Sequence, residues 1–379
     1  MQKRILQVTT VANTLNAFLL PFAKAFKEQG WQVDAAASNI FKFEQVVAEH
    51  NHCFDINFCR NPLKLKQLYQ SLKQVRLLLK EQKYDVVHVH TPIAAFLTRI
   101  ASVGIKQTKI FYTAHGFHYI KSNPMWKNIL FYLAEKLPGL LTCHLFVINT
   151  DDYAFAIKNH ILPKDKVTYI HGIGVNHNSY KFSDADSNVI RNELAISNDS
   201  FVLLQVAELN DNKNHRIVIN AIALFKDKYP DSDIYYIVVG EGPLISALKE
   251  QVEALHLSKE VKFIGQRNDI SKLLSACDIL TLSSKREGLP RCILEAMCVN
   301  KPIIASKIRG CTDLLSTGAG ILVDVDNAYQ WFQAIELLYS NQKLCEEMGL
   351  IGGQLIEEQY QQEKIIDTVI KVYQREFAL

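Results

Sequence analysis

Two carboxylates eight residues apart are the residues of this 379-residue sequence best placed to recognise a polyhydroxyl ligand. Glu287 follows a predicted strand, Ile279–Leu282, and Glu295 falls in the first turns of the helix that comes next. Carboxylates at a strand end accept hydrogen bonds from sugar hydroxyls, as acidic residues do for ribose in nucleotide-binding folds. Gly288 and Leu289 lie between them and are expected to contact the same ligand. The alternative is that both carboxylates cap the helix N-terminus.

Two cations follow other predicted strands in the same half of the chain. Lys213 comes just before a predicted helix, His215–Lys228, where its ammonium and the helix dipole could hold a diphosphate. Arg309 follows a strand at 303–305, in a loop whose backbone N–H groups also suit a phosphate. A Gly-Glu-Gly-Pro loop contains Gly242, where the backbone could approach a ligand closely. A solvated lysine and a plain tight turn are the alternatives at Lys213 and Gly242.

The elements that must position these loops alternate along the whole chain. Short β-branched runs are separated by amphipathic stretches, a pattern that predicts α/β units with parallel, doubly wound sheets covered by helices. The pattern restarts at Phe201–Val206 after a polar linker at 176–198, which indicates a second unit. We therefore expect domains at 1–180 and 181–355, and a final helix in 356–379 that docks back onto the first domain. Ligands of such sheets lie beyond the carboxyl ends of the strands.

Composition limits the class of protein. A hydrophobic content of 48% with 21% charged residues supports two ordinary cores. The eight cysteines occur singly and no secretory leader is visible, which predicts reduced thiols and a cytoplasmic location. No apolar stretch reaches the roughly 20 uninterrupted residues of a membrane span.

The net charge of +3 conceals an asymmetry between the halves. Residues 1–180 hold 21 Lys and Arg against 11 Asp and Glu, a balance of +10, and the remainder carries −7. A basic amphipathic helix at 60–83 is typical of peripheral contact with an anionic membrane surface, although an ordinary helix with a solvated basic face is the alternative. Its cations alternate with leucines rather than with stacking aromatics, which disfavours nucleic acid as a partner. They are Arg60, Lys64, Lys66, Lys73, Arg76, Lys80 and Lys83.

Lys213, the Gly-x-Gly-Pro loop, Glu287 and Glu295 stand in an order that resembles retaining glycosyltransferase family four. The first half is also similar to that family, in the runs YDVVHVH at 84–90 and TAHGFH at 113–118. The resemblance covers the whole chain and implies the GT-B fold, in which two Rossmann-like domains face each other across a cleft. Members of bacterial capsule and exopolysaccharide synthesis, which act on lipid-linked sugars, look most similar.

The resemblance also implies a reaction and roles. A hexose or N-acetylhexosamine would pass with retention from a UDP-sugar to a polyprenyl-diphosphate-linked saccharide at the inner face of the membrane. Glu287 would contact the donor sugar, Glu295 the ribose, and Lys213 the diphosphate. His115 would lie in the cleft near the reacting centre, unless it is a structural strand-end histidine. The acceptor-side candidates are Asn13, Thr14 and His118.

The chain departs from the family pattern at Glu208, where many members carry arginine. Arg309, Arg286 or Arg291 is expected to supply the missing charge. No Asp-x-Asp pair stands at a predicted strand end, so neither a metal nor another cofactor is expected. An inverting GT-B transferase, a nucleotide-sugar epimerase and a non-catalytic nucleotide-binding scaffold are the alternative functions.

Overall fold

The computed structural model describes residues 2–119 and 124–378 and divides the chain into two compact units. The first unit comprises Met1–Ile173 and Glu363–Leu379, and the second comprises Gly174–Gln362. The chain passes to the second unit after Ile173, seven residues before the expected boundary at 180. It returns to the first unit after Gln362, seven residues after the expected boundary at 355. The cause is local. Val175 and Gln361 form an isolated parallel bridge, which makes both crossing segments part of the second unit.

A seven-stranded parallel sheet forms the centre of the first unit, in the order β3-β2-β1-β4-β5-β6-β7. Strands β2 and β3 therefore extend the sheet on one side of β1, and β4 to β7 extend it on the other. Open sheets bind ligands at the point where the strand order reverses in this way, here between β1 and β4. The strands are β1 (Arg4–Val11), β2 (Gln32–Ser38), β3 (Cys53–Asp55), β4 (Val86–His90), β5 (Lys109–Ala114), β6 (His144–Val147) and β7 (Val167–Tyr169).

Within residues 2–119 and 124–169, seven α-helices precede the last strand of the first unit. They are α1 (Ala12–Thr14), α2 (Leu20–Glu28), α3 (Glu44–Glu49), α4 (Leu65–Gln82), α5 (Pro92–Ala101), α6 (Met125–Gly139) and α7 (Thr150–Lys158). The basic segment predicted as one helix from residue 60 becomes helical only at Leu65. Val75, Leu78 and Leu79 of α4 are buried in the core of the unit, so most of the apolar face of α4 is already covered.

The second unit repeats the plan with six parallel strands in the order β10-β9-β8-β11-β12-β13. The strands are β8 (Phe201–Val206), β9 (Ile234–Val239), β10 (Val261–Phe263), β11 (Ile279–Leu282), β12 (Ile303–Ser306) and β13 (Gly320–Val323). Apolar clusters cover both faces of this sheet. The helices are α8 (Asp184–Glu193), α9 (His215–Lys228), α10 (Ile245–Ala254), α11 (Ile270–Ala276), α12 (Arg291–Cys298), α13 (Cys311–Leu315), α14 (Ala328–Tyr339) and α15 (Gln342–Leu355).

The last helix, α16 (Gln362–Ala378), packs against the sheet of the first unit. The ring of its Tyr373 stacks on Phe26 at a centroid distance of 5.3 Å, and the hydroxyl of Tyr373 bonds Nδ1 of His88. The continuous helix predicted from 356 is interrupted, because Gln361 is extended with φ −62° and ψ 128°. A π-helical turn over Ile356–Tyr360 precedes that break.

All eight cysteines are free thiols. In the part of the chain that the structure describes, no helix combines the length and the apolar character needed to cross a membrane.

Candidate active site

Lys213 and Glu287 meet at the carboxyl ends of β8 and β11, the two neighbouring strands between which the order of the second sheet reverses. Lys213 Nζ lies 2.6 Å from Glu287 Oε1, with 23% and 15% of the two side chains exposed. The loops that carry them are also tied together, since the Lys285 amide donates to the Asn212 carbonyl at 2.7 Å. The strand-end argument therefore correctly predicted that these loops converge.

A buried polar network fixes the backbone of Lys213. Its carbonyl accepts from Ser283 Oγ at 2.8 Å and from Gln205 Nε2 at 3.2 Å. Gln205 Oε1 in turn accepts from the hydroxyl of Tyr236 at 2.7 Å, deep in the sheet. Sequence reasoning missed this network, although a glutamine inside the apolar run of β8 was a signal that could have revealed it. Such a network restricts where the Lys213 ammonium can go.

The pair keeps a fixed positive charge in the site. Burial alone would lower the pKa of Lys213, but the negative charge of Glu287 and its hydrogen bond outweigh burial, and the pKa is raised. Burial also raises the pKa of the nearby Cys292 thiol to about 12. At neutral pH the site therefore holds a lysine cation and a protonated Cys292, which is not a nucleophile in that form.

Glu295 is buried and is held by two donors from its own unit. Its Oε1 accepts from the Tyr180 hydroxyl at 2.6 Å and lies 2.8 Å from Nε of Arg291. Burial raises the pKa of Glu295, and Arg291 acts in the opposite direction. Arg291 therefore pairs with the Glu295 carboxylate. This pairing disfavours Arg291 as the cation that replaces the arginine missing at Glu208.

Two glycines allow the ligand-side loops to approach one another. A Cβ on Gly242 would lie 2.4 Å from the Leu209 carbonyl oxygen, and one on Gly310 would lie 2.1 Å from the Gly288 oxygen. Gly310 also has φ +78°, a conformation that favours glycine. The loop of Arg309 thus packs directly on the Gly288 segment, so Arg309, which is half-buried, is held near the Lys213–Glu287 loops. Direct ligand contact by Gly242, Gly288 and Leu289 stays a prediction.

Neutral histidines line the ends of β4 and β5 in the first unit. His90 Nδ1 lies 3.1 Å from His115 Nε2, and burial lowers the pKa of His115 to about 4. Burial lowers the pKa of His88 to about 3, with the neighbouring histidines adding to the effect. His88 is engaged through both ring nitrogens, with Thr113 Oγ1 at 2.7 Å and with Tyr373. His88 therefore has a core role, whereas the half-buried His115 lies at a strand end as a neutral imidazole.

The acceptor-side candidates also belong to the first unit. Asn13 is exposed and Thr14 half-buried in α1, directly after β1. Close by, the hydroxyls of Thr10 and Thr91 lie 2.8 Å apart and tie the end of β1 to the end of β4. His118 lies farther along, with its ring 5.4 Å from that of Phe131 in α6. These residues share a unit with His115, and Lys213, Glu287, Glu295 and Arg309 share the other.

Family models cover most of both halves of the chain. Residues 7–138 match the model described as glycosyl transferase 4-like, and residues 186–352 match the one described as glycosyl transferases group 1. EpsD of Bacillus subtilis, named as a glycosyltransferase, is 36% identical over 358 residues, which are 93% of this chain and 91% of EpsD. The UDP-Gal:α-D-GlcNAc-diphosphoundecaprenol α-1,3-galactosyltransferase of Escherichia coli is 28% identical over 279 residues, 73% of this chain and 72% of that protein.

Among solved structures, Anabaena HepE in complex with UDP and glucose has a TM-score of 0.83 at 21% identity. The match covers 99% of this chain and 100% of the HepE chain. This likeness confirms the GT-B fold that the sequence resemblance implied.

Proposed function

The chain belongs to the group 1, family-four-like glycosyltransferases, and from that premise we propose its donor, its acceptor and its stereochemistry. It is a glycosyltransferase of bacterial polysaccharide synthesis. In the proposal, a hexose or N-acetylhexosamine passes from a UDP-sugar to a saccharide carried on a polyprenyl diphosphate. The new bond keeps the anomeric configuration of the donor.

The Lys213–Glu287 pair is the observation that carries this proposal. A cation and a carboxylate held 2.6 Å apart at the sheet reversal offer one group to a diphosphate and one to sugar hydroxyls. Because Glu287 already orients the ammonium, little reorganisation accompanies the growth of negative charge on the departing diphosphate. Preorganised charge of this kind is usually the largest electrostatic contribution to catalysis. Arg309 is placed to add a second cation, which compensates for Glu208.

The same residues support a retaining transfer that uses no protein nucleophile. Glu287 is paired with Lys213, and the Cys292 thiol is protonated, so neither is poised to attack the anomeric carbon. We propose that the acceptor hydroxyl attacks the anomeric carbon from the face that the diphosphate leaves. The diphosphate oxygens guide the hydroxyl and accept its proton. Lys213 and Arg309 neutralise the leaving group in place of a metal ion, so we expect the reaction to proceed without one.

The donor and acceptor assignments draw on the relatives, and the position of the acceptor draws on the first unit. The Escherichia coli relative is named for an acceptor on diphosphoundecaprenol, and UDP with glucose is the ligand in the Anabaena HepE complex. We place the lipid-linked acceptor on the first unit, beside Asn13, Thr14, His115 and the basic segment at 60–83. Peripheral contact with an anionic membrane would bring that unit to its acceptor.

An inverting transfer is the second candidate, because His115 is a neutral imidazole that could take a proton from the acceptor hydroxyl. Proton NMR of the product distinguishes the two mechanisms. With an α-configured UDP-sugar and a synthetic polyprenyl-diphosphate N-acetylglucosamine, we expect a product with the small anomeric coupling of an α linkage. A β-linked product would overturn retention, and its loss in His115→Gln would assign His115 as the base. The His115→Gln variant serves as the control, since it should abolish inversion but only weaken a retaining transfer.

A further inference from the structure

Helix α6 exposes an unusual amount of apolar surface. Of its 15 residues only Pro138 and Gly139, at its end, are buried. Six of its large apolar side chains are between 42% and 79% exposed, namely Met125, Trp126, Ile129, Leu130, Leu133 and Leu137. Most of a helix with this composition would be covered in a soluble protein that binds nothing there, because exposed apolar patches mark interaction sites.

A cavity of about 530 Å³ opens beside this helix, within the first unit. Leu130, Phe131 and Ala134 of α6 form one wall, and Phe96 of α5 forms part of the other. The lining is overwhelmingly apolar, and its size falls within the roughly 300–1,000 Å³ of small-molecule sites. The cavity is therefore suited to a hydrocarbon group rather than to a sugar or a nucleotide.

The charge left unpaired around the cavity is positive. Its acidic residue, Glu135, is already paired, since Arg99 Nη2 lies 3.0 Å away and the Tyr112 hydroxyl 3.2 Å away. Burial raises the pKa of Glu135, and Arg99 acts against that rise. Arg60, in contrast, is exposed at the rim, and no described residue pairs with its guanidinium. Lys64 and Lys66 follow it on the same segment. An apolar cavity with a cationic rim is complementary to a lipid whose head group is a phosphate.

We infer that this cavity binds the first isoprene units of the acceptor lipid, with the lipid phosphate at Arg60. The inference rests on the proposed function, which supplies the polyprenyl diphosphate. It moves the main lipid contact from the basic helix α4, whose apolar face is largely covered by the core, to α6 and to the segment 60–64 that precedes α4. His118, an acceptor-side candidate, lies in the lining of the same cavity.

The matched pair Leu130 and Leu137 tests this site. Both lie on α6 with nearly equal exposure, 57% and 60%, but only Leu130 lines the cavity. Farnesyl monophosphate, kept below the concentration at which it forms micelles, is titrated into the full chain by calorimetry. Leu130→Gln is expected to weaken binding about tenfold, and Leu137→Gln to leave it within about twofold. Ala134→Phe, which fills the cavity with an apolar side chain, should also weaken binding about tenfold.

The contact between Arg60 and the lipid phosphate is tested separately. Arg60→Gln should weaken farnesyl monophosphate about tenfold and leave farnesol unchanged. Equal losses in Leu130→Gln and Leu137→Gln would overturn the inference, because they indicate adsorption to the helix surface. Absence of farnesyl monophosphate binding would also overturn it. Release of UDP from a UDP-sugar, measured on the same protein preparations with a lipid-linked saccharide acceptor added, separates the two proposals: release without farnesyl monophosphate binding refutes only the cavity, and farnesyl monophosphate binding without release refutes only the proposed function.

Discussion

Replacing Lys213 by methionine is expected to lower the turnover number kcat about 10² to 10³-fold, the usual effect of removing one preorganised electrostatic contact. Methionine keeps the unbranched stem that packs in the loop and removes only the charge. The loss should fall on kcat more than on KM of the donor, because the charge of the diphosphate grows as the glycosidic bond breaks. Initial rates at several donor concentrations give both constants.

Two variants separate this role from a structural one. Lys285→Met removes an exposed lysine from the neighbouring loop, and its rate should stay within about twofold of the wild type. In the double variant Lys213→Met/Glu287→Gln, a purely structural ion pair would be relieved of its unpaired charge and regain activity. We expect no recovery, because donor binding and departure of the diphosphate each lose a group. A double variant more active than Lys213→Met alone would contradict the assignment.

Acidification is expected to destabilise the first unit more than the second, because burial lowers the pKa of several histidines in the first unit and, in the second, the pKa of His215 to about 4. In the unfolded chain histidines titrate near their ordinary pKa of 6.5, whereas burial lowers the pKa of His88 to about 3 and the pKa values of His115 and His144 to about 4. The pKa of His90 is lowered well below its ordinary value for the same reason. Below pH 6.5 the histidines therefore bind protons in the unfolded chain but not in the folded unit. The free energy of unfolding falls as a result until about pH 4. Above pH 6.5 both states are neutral and this dependence vanishes.

Each of these histidines contributes a slope of at most about 1.4 kcal/mol per pH unit, which is reached where the unfolded form is protonated and the folded form is not. Hydrogen exchange at a series of pH values, corrected for the intrinsic rates, should show protection lost in β4–β6 while β8 and β9 remain protected. His144→Gln keeps a partner for Thr168 and should reduce the slope by about 1.4 kcal/mol per pH unit. His256→Gln, at an exposed site of the second unit, should leave it unchanged. Equal loss of protection in both units at every pH would refute the prediction.

The strands that the sequence predicted accurately are those with apolar residues on both faces. β8 and β11 begin and end at the predicted residues, because a strand buried on both sides is a nearly continuous apolar run. Three short strands were missed: β3, β7 and β13. They have three or four residues each and are only partly buried, so any apolar run that marks them is short.

The candidate site was predictable where it depends on topology. Lys213 and Glu287 follow strands that a doubly wound order places side by side, so their approach follows from the pattern alone. The hydrogen bond from the Tyr180 hydroxyl to Glu295 and the support of Lys213 by Ser283 depend on side-chain packing between distant segments, which spacing does not encode. The exposure of α6 could not be predicted from the sequence for a similar reason. Its residues form an apolar stretch in the sequence, and only the fold shows that the stretch faces outward.

The most direct test of the account is release of UDP from a panel of nucleotide sugars by the purified chain, with a lipid-linked acceptor and detergent present. We predict release from one UDP-sugar, undiminished by EDTA and abolished in Glu287→Ala, with transfer of the sugar to the acceptor. Release that requires a divalent cation would contradict the assignment of leaving-group stabilisation to Lys213 and Arg309. No release from any UDP-sugar, with the acceptor present, would contradict the proposed donor itself.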